Sequence, residues 1–288
     1  MYNRSQSIDM NIKDIQTYYE SCHKDYKRVW HLDRCMAMHM GFWNEETTRL
    51  RDALINENKV LAEQAAITST DRVLDAGCGV GGSSIFLAQQ YGCHVTGITL
   101  SRVQVKQAQQ YAAAHNVQER TTFFVADYIQ VPYPEASFDV IWAIESVCHA
   151  ENKKDFLQEA YRLLKKGGRL IIADGFQAKH SLTQKETTLL KKSFSGWGVD
   201  ALEHNALFHD SLKELNFKNI NEQDATSLIY RSSRILFIVS FPGFIVHLFE
   251  RMLKKRGAIE QKNIASTFHQ FLSLRKGLWK YKIFYAEK

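Results

Sequence analysis

Residues 73–82 read VLDAGCGVGG, and this stretch decides the fold. It follows a short apolar run and precedes a stretch with helical periodicity, which predicts a turn between a buried strand and a helix. Its glycines let the backbone bend tightly and leave room for a ligand, and open parallel sheets bind ligands at such turns. The stretch is therefore predicted to be a ligand-binding turn.

The glycine spacing alone does not identify the ligand, because Gly77, Gly79 and Gly82 also fit the GxGxxG pattern of dinucleotide-binding turns. Asp75 precedes the first glycine by two residues, where a carboxylate suits an ammonium group better than a pyrophosphate. Residues 97–100, GITL, close the second predicted strand without the carboxylate that dinucleotide enzymes place on a ribose. These two features favour a ligand with an amino-acid group.

From residue 72 onward, short apolar runs alternate with longer helical stretches. The strand-like runs are 72–75, 94–98, 122–126, 138–143, 169–173, 217–223 and 280–286, and the helical stretches are 83–91, 102–115 and 153–164. This alternation predicts an α/β domain with a mostly parallel, seven-stranded sheet. Residues from about 9 to 66 have helical character, so 1–66 is predicted as an N-terminal helical cap and 67–288 as the main domain.

An apolar and basic insertion separates the last two predicted strands, at about 226–277. Its centre, 235–249, reads ILFIVSFPGFIVHLF, which Pro242 is expected to interrupt and which is too short for a membrane span. A pair of core or lid helices is the favoured interpretation. A segment that docks on a membrane surface or lines a lipid cavity is the alternative.

The composition is that of a globular protein of 288 residues, 45% of them apolar. The five cysteines show no CxxC spacing, so neither a disulfide framework nor a metal site is expected. Residues 1–16 contain no apolar run of secretory length, and a cytoplasmic protein is expected.

The net charge of +6 is uneven, because residues 231–288 carry twelve basic and three acidic side chains. This excess fits either a solvated helical face or an anionic partner, such as a phosphate group, a membrane surface or nucleic acid.

The sequence VLDAGCGVGGSS at 73–84, followed by VTGITLSRVQ at 95–104, resembles the class I S-adenosylmethionine-dependent methyltransferases. It is similar to the branch with tocopherol, sterol side-chain and cyclopropane fatty-acid enzymes, in which a TLS-type sequence replaces the second-strand carboxylate. The resemblance implies a Rossmann-like fold with N-terminal helices and a helical lid, and S-adenosylmethionine as cofactor. The implied cofactor contacts are Asp75, Gly77, Gly79, Gly81, Thr99, Leu100, Gln104, Asp127, Tyr128 and Tyr19. For Asp127, a simple helix cap is the alternative.

Residues 142–150 read WAIESVCHA and resemble the AIEA-CHA segment of sterol side-chain methyltransferases and, more loosely, the ESGEHM segment of tocopherol methyltransferases. The resemblance places this segment under the reactive methyl group. Glu145 and His149 are one helical turn apart, so they could stabilise a carbocation and remove the proton that methylation of carbon leaves behind. The alternative is that both only bind cofactor or order the lid.

Residues 39–43 read HMGFW and resemble the HHGYW segment that closes over the cofactor in these relatives. Aromatic faces can hold a sulfonium or a developing cation, and packing is the alternative role for each ring. The implied acceptor contacts are Tyr18, His39, Gly41, Trp43 and Trp197. Residues 276–286 resemble the carboxyl end of tocopherol-type enzymes.

The expected reaction is C-methylation of an apolar isoprenoid, lipid or aromatic small molecule. N- or O-methylation of a small amine or a polyketide-type natural product is the alternative, and a methyltransferase-like binding module without turnover is a second alternative. A nucleic-acid partner is not expected, because the insertion is apolar and lacks the asparagine-proline signature used for exocyclic amines.

Overall fold

The computed structural model describes residues 35–252 and 258–288, with side chains over 35–246 and 262–288. The strands of its central sheet are β1 Arg72–Ala76, β2 His94–Thr99, β3 Thr121–Val125, β4 Phe138–Ile144, β5 Leu164–Gln177, β6 Lys218–Asp224 and β7 Trp279–Glu287. They are arranged in the order β3-β2-β1-β4-β5-β7-β6. β1 to β5 are parallel, and β7 is antiparallel to β5 and β6. The predicted seven-stranded, mostly parallel sheet is confirmed.

Helices cover the sheet and form a separate pair near the carboxyl end. They are α1 Leu50–Gln64, α2 Gly82–Tyr91, α3 Arg102–Ala114, α4 Lys153–Leu163, α5 Gln184–Phe194, α6 Asn205–Glu214, α7 Thr226–Met252 and α8 Ala258–Arg275. Two short 3-10 helices lie at Val147–His149 and Ser195–Trp197. Local capping sets some of the starts, since the Ser101 hydroxyl accepts a hydrogen bond from the Gln104 N–H at the beginning of α3.

The strand order positions the binding crevice. β2 and β3 extend the sheet on one side of β1, and β4 and β5 extend it on the other, so the order reverses between β1 and β4. Ligands of open parallel sheets bind at the carboxyl ends of the strands at this point. Trp142 of β4 is fully buried in the core beside β1, and we expect its truncation to alanine to cost about 3–5 kcal/mol.

The prediction of a helix over 9–66 is wrong for residues 36–49, where the chain forms a loop that leads into α1. Met36 and Gly41 have left-handed φ angles of 52° and 76°, which a continuous helix does not allow. The Phe42 N–H donates to the Ala53 carbonyl of α1, so the loop folds back onto the helix that follows it. The helical periodicity at 36–49 therefore gave a wrong prediction, because a backbone hydrogen bond to α1 takes the place of hydrogen bonds within a helix.

The prediction that Pro242 interrupts a helix is also wrong, because α7 continues through this residue. Aromatic rings on both sides of the proline, Phe237 and Phe244, lie 5.0 and 6.3 Å from the ring of Phe268 on α8. This packing holds the helix together across the missing N–H. Within the described ranges, α7 is the one helix long and apolar enough to cross a membrane, over Thr226–Val246, a criterion that buried helices also meet.

Candidate active site

The backbone conformation of the turn after β1 requires glycine at several positions. Gly77, Gly79 and Gly81 all have left-handed φ angles, between 53° and 92°, which favour glycine. The N–H groups of Gly77 and Cys78 both donate to the Ile98 carbonyl, at 3.0 and 2.9 Å. The turn is therefore tied to the end of β2, and its open side faces the crevice.

A cavity of about 410 Å³ fills this crevice. Eleven of the residues predicted from the sequence line it: Asp75, Gly77, Gly79, Thr99, Leu100, Gln104, Asp127, Tyr128, His39, Glu145 and His149. Residues that are distant in sequence thus meet at one site, because parallel strands deliver their carboxyl ends to the same edge of the sheet.

Asp75 is almost completely buried at the end of β1. It accepts a hydrogen bond of 2.6 Å from the Ser84 hydroxyl. Burial raises the pKa of Asp75 to about 6, because few groups nearby replace the water that a carboxylate loses. A cationic ligand group in the cavity would restore this lost stabilisation.

Thr99 and Gln104 act as one unit at the end of β2. The Thr99 hydroxyl donates to Gln104 Oε1 at 2.6 Å, and both side chains are buried. Ser101 caps α3 between them, which fixes Gln104 in the first helical turn. The pair therefore presents the Gln104 amide to the cavity in a defined orientation.

Asp127 and Tyr128 follow β3. The Asp127 carboxylate accepts the Ile129 N–H at 3.1 Å in a turn, and no helix begins there, so the alternative of a simple helix cap is wrong. Burial raises the pKa of Asp127. The Tyr128 hydroxyl donates to the Ser146 carbonyl at 3.1 Å, and its ring packs edge-on against Phe156. These contacts hold the tyrosine ring at the cavity wall.

Glu145 lies directly after β4 in a left-handed conformation, with φ of 46°. This strained conformation is rare for a residue with a side chain, and strain of this kind concentrates at functional sites. The carboxyl atom Oε1 of Glu145 accepts the Met40 N–H at 2.6 Å and lies 3.0 Å from the Tyr281 hydroxyl oxygen. Burial, followed by the charge of Glu57, raises the pKa of Glu145 well above its ordinary value.

His149 ends the 3-10 helix beyond Glu145. Its Nδ1 lies 3.2 Å from the Gly198 carbonyl, and because a carbonyl only accepts, Nδ1 carries the proton. Burial lowers the pKa of His149 to about 4, so the ring is neutral at pH 7. The Lys153 ammonium group donates to the carbonyls of Cys148 and Ala150 and so holds this loop in place.

Two residues of the site were missed by the sequence interpretation, Glu57 of α1 and Tyr281 of β7. The Tyr281 hydroxyl lies 2.8 Å from Glu57 Oε1 as well as 3.0 Å from Glu145. One signal was available: Glu57 shares the helical spacing of Ala53 and Leu61, which face the core. A carboxylate at a core-facing position of a helix needs a buried partner.

Gly81, Gly41, Trp43 and Trp197 do not line the cavity. Gly81 packs against Ala108, Trp43 Nε1 donates to Ser232, and Trp197 Nε1 donates to Asn263. Their predicted ligand contacts stay predictions. Tyr18 and Tyr19 lie outside the described residues.

The cavity is strongly acidic. Its lining includes five acidic residues, Asp75, Asp127, Glu145, Glu151 and Asp155. Within the described ranges of the chain, no lysine or arginine lines it. Such a lining favours a ligand that carries positive charge.

Comparison with known families identifies the part of the chain that builds this cavity. Residues 74–172 match the family model described as a methyltransferase domain. This segment is a methyltransferase domain. The methyltransferase domain contains Asp75, Thr99, Asp127 and Glu145, whereas Tyr281 lies beyond its end.

Curated relatives of this methyltransferase domain act on different acceptors. The chain is 39% identical over 137 residues to 27-O-demethylrifamycin SV methyltransferase of Amycolatopsis mediterranei, over 48% of this chain and 50% of that protein. It is 34% identical to the chloroplastic tocopherol O-methyltransferase of Arabidopsis thaliana, over 56% and 48%. It is 30% identical to sterol 24-C-methyltransferase of Eremothecium gossypii, over 73% and 57%. The chain thus spans about half the length of the curated relatives it matches.

Solved structures share the fold over nearly the whole chain. The cyclase SpnF superposes with a TM-score of 0.77 at 22% identity, over 95% of this chain and 94% of that chain. Geranyl diphosphate C-methyltransferase of Streptomyces coelicolor A3(2), bound to Mg²⁺, geranyl diphosphate and S-adenosyl-L-homocysteine, gives 0.74 at 18% identity, over 96% and 97%. At these identities the likeness concerns the fold alone. Together with the relatives, it confirms the predicted resemblance to class I methyltransferases of the tocopherol and sterol branch.

Proposed function

We propose that the protein is an S-adenosylmethionine-dependent methyltransferase that acts on a small apolar acceptor in the cytoplasm. One observation carries the proposal: a single cavity joins the glycine turn, the Thr99–Gln104 pair and the strained carboxylate of Glu145. Groups suited to holding a cofactor and a group suited to proton transfer therefore face the same space.

The residues present fit S-adenosylmethionine, which supplies an electrophilic methyl group on a sulfonium when bound. Asp75 would bind the ammonium group, Thr99 and Gln104 the ribose, and Asp127 the adenine. Gly79 supports this fit, since the space where its Cβ would lie contacts only the Met38 methyl group, at 3.3 Å. A side chain at position 79 would fill the cradle. The acidic lining also matches the positive charge of the cofactor.

The chain's own contribution to the reaction is alignment and proton transfer. Holding acceptor and cofactor in line can lower the barrier by about 7–11 kcal/mol. Glu145 is rigidly placed by the Met40 N–H and the Tyr281 hydroxyl. It would take the proton that methylation of carbon leaves on the acceptor, and the neutral His149 would accept hydrogen bonds beside it.

The acceptor is proposed to be neutral. The carboxylate-rich lining repels phosphate groups, and in the described part of the chain it offers them no lysine or arginine. Methionines Met36 and Met38 give the cavity wall an adaptable apolar surface. Methylation of carbon is favoured by the position of Glu145. O-methylation of a natural product is the second candidate, supported by the 39% identity with the rifamycin enzyme.

The membrane contact predicted through the basic insertion stays a prediction. One of its arginines has a local contact, since the Arg231 guanidinium lies over the Trp43 ring at 4.1 Å.

The first experiment uses cofactor labelled in its methyl group, incubated with the protein and a lysate of the source organism. Label in the organic phase that depends on the protein supports an apolar acceptor, and mass spectrometry of the product identifies the methylated atom. Label confined to the aqueous phase contradicts the apolar acceptor. No transfer, with the cofactor bound, contradicts the methyltransferase assignment and supports a binding module. A Glu145→Gln variant serves as the control for non-enzymatic transfer.

A further inference from the structure

A buried chain of polar side chains extends from Glu145 into the core. The Tyr281 hydroxyl bridges Glu145 Oε1, at 3.0 Å, and Glu57 Oε1, at 2.8 Å. Glu57 Oε2 lies 2.5 Å from His39 Nδ1 and accepts the Gly41 N–H at 2.8 Å. Glu57 is 0% exposed and Tyr281 1% exposed. Two carboxyl groups are therefore linked through one phenol, and the phenol and Glu57 are shielded from water.

The geometry constrains how many protons Glu145, Tyr281 and Glu57 can share. Tyr281 has one phenolic proton, so it cannot donate to both Glu145 and Glu57. If both were carboxylates, one oxygen would face the phenol oxygen with no proton between them, which is costly in a buried site. One carboxyl group must therefore carry a proton at the Tyr281 side.

Local contacts indicate which carboxyl group is protonated. Glu57 Oε2 accepts the Gly41 N–H and, with His39 in the tautomer that has its proton on Nδ1, a second hydrogen bond from that ring, and both stabilise a negative charge there. Glu145 receives one backbone N–H, from Met40. Burial and the charge of Glu57 also raise the pKa of Glu145. At rest the proton is on Glu145, and Tyr281 donates its own proton to the Glu57 carboxylate.

We propose that Glu57 is the final holder of the proton that leaves the acceptor, and that Tyr281 carries this proton from Glu145 to Glu57. The inference rests on the proposed methyl transfer in the cavity. Glu145 is the catalytic residue, and Tyr281 and Glu57 are positioning residues that act through it.

Each step of the transfer is balanced. The bond between the methylated acceptor and its proton breaks, and its electron pair stays on the acceptor as a double bond or a lone pair. The proton binds the second carboxyl oxygen of Glu145 while the proton on Oε1 passes to Tyr281 Oη. The original phenolic proton passes to Glu57 Oε1. Glu145 and Tyr281 end with the number of protons they had, and Glu57 becomes neutral.

This arrangement lets a neutral Glu145 act as a base. A carboxylic acid alone cannot take up a proton at neutral pH, but it can when it releases its own proton to a carboxylate behind it. Asp174 of β5 is a further charged group near Glu145, and its negative charge also raises the pKa of Glu145. Asp174 is occupied by the N–H groups of Cys148 and Gly175 and does not join the chain.

Infrared spectroscopy of the full chain tests the resting state without an acceptor. At pH 7 we expect a carboxylic-acid C=O band that disappears in Glu145→Gln and shifts in Tyr281→Phe, because the phenol no longer contacts the acid. The matched control is Tyr285→Phe on the same strand, whose hydroxyl bonds to Glu287 at the surface, and it should leave the band unchanged. Absence of the band in the unmodified protein overturns the proposal, whatever its turnover.

Turnover with the organic extract of the lysate tests the transfer itself. We expect Tyr281→Phe and Glu57→Gln each to lower kcat about 100-fold, while the Kd for the cofactor changes less than about twofold. The double variant should be no slower than the slower single variant, because both residues serve one path. An unchanged kcat in Tyr281→Phe overturns the relay and leaves the proposed function standing. If the unmodified protein transfers no label, the proposed function fails, and the relay fails with it.

Discussion

A Cβ atom at Gly77 would lie 2.4 Å from the Cβ atom of Ser146, so the glycine turn after β1 is in direct contact with the segment that follows β4. The Ser146 hydroxyl strengthens this contact by donating to the Ala76 carbonyl at 2.6 Å. Glu145 is the neighbour of Ser146. The turn that binds the cofactor in the proposed function and the proposed catalytic carboxylate are therefore fixed relative to one another.

Gly77→Ala is expected to lower the free energy of unfolding by more than about 2 kcal/mol. The left-handed backbone contributes about 1–2 kcal/mol, and the overlap with Ser146 about 1–3 kcal/mol. Chemical denaturation measures the change. The matched control is Gly167→Ala, which has a similar φ of 74° and nothing within 4 Å of its Cβ. It should cost about 1–2 kcal/mol from backbone strain alone. Equal losses in the two variants would show that the Ser146 contact is unimportant.

The affinity for S-adenosylmethionine is expected to fall as the pH decreases below about 6, by up to about tenfold per pH unit. Burial raises the pKa of Asp75 to about 6, and the protonated acid cannot pair with an ammonium group. Calorimetric titrations between pH 5 and 8 measure this dependence. Asp75→Asn should bind more weakly at pH 7 and lose the pH dependence. An affinity that is flat across this range in the unmodified protein would contradict the role of Asp75.

The stability of the ligand-free protein is expected to follow the opposite trend. An acid whose pKa is raised by folding favours the folded state in its protonated form. The contributions of Asp75 and Asp174, both with a pKa of about 6, are therefore complete below about pH 3.9 and are lost as the pH rises through 6. Thermal melts of Asp75→Asn and of the unmodified protein check this prediction. The amount by which the Tm of the variant exceeds that of the unmodified protein should grow between pH 5 and 7. A constant difference would be inconsistent with the raised pKa.

Glu145→Gln is expected to retain cofactor binding within about twofold and to lose at least about 100-fold in kcat, because an amide cannot exchange a proton with the acceptor. Calorimetry and label transfer measure the two quantities separately. Glu151→Gln, at an exposed carboxylate on the same cavity, is the matched control. If turnover in Glu145→Gln equals that of the control, Glu145 has no catalytic role.

Arg231→Met is expected to lower the free energy of unfolding by about 0.5–1 kcal/mol, the usual value of an exposed cation–π contact. The Arg231 guanidinium lies 4.1 Å from the centre of the Trp43 ring, and methionine keeps an apolar stem without the charge. Urea denaturation measures the loss. Arg234→Met, one helical turn along the same helix, is the control and should change stability little. An equal effect in both variants would assign the loss to helix propensity.

Sequence patterns predicted the sheet and most of the cofactor side of the site, because these features are local. Asp75 and Thr99 lie at the carboxyl ends of β1 and β2, and Asp127 comes shortly after β3, so the strand pattern is consistent with a position for all three at one edge of the sheet. Glu145, directly after β4, was predicted from the resemblance of residues 142–150 to the sterol and tocopherol enzymes.

The deeper part of the site could not be predicted, because it depends on tertiary packing. Glu57 and Tyr281 are 224 positions apart in sequence, and only the docking of α1 on the sheet brings them together. The aromatic residues Trp43 and Trp197 were ambiguous for a different reason. An indole ring serves packing as well as ligand binding, and their N–H groups bond to Ser232 and Asn263 in the structure.

The attachment of the loop at 36–49 to α7 has a consequence for how such a protein can change its acceptor. The Trp43 N–H and indole bond to Leu228 and Ser232 of α7, while Met36 and Met38 of the same loop form one wall of the cavity. That wall is therefore tied to α7, and through the Met40 N–H the same loop also contacts Glu145. Mutations along α7 can reshape the loop side of the chamber without altering the strand ends that hold Asp75, Thr99 and Asp127, so new acceptors can be acquired while the proposed cofactor contacts are kept.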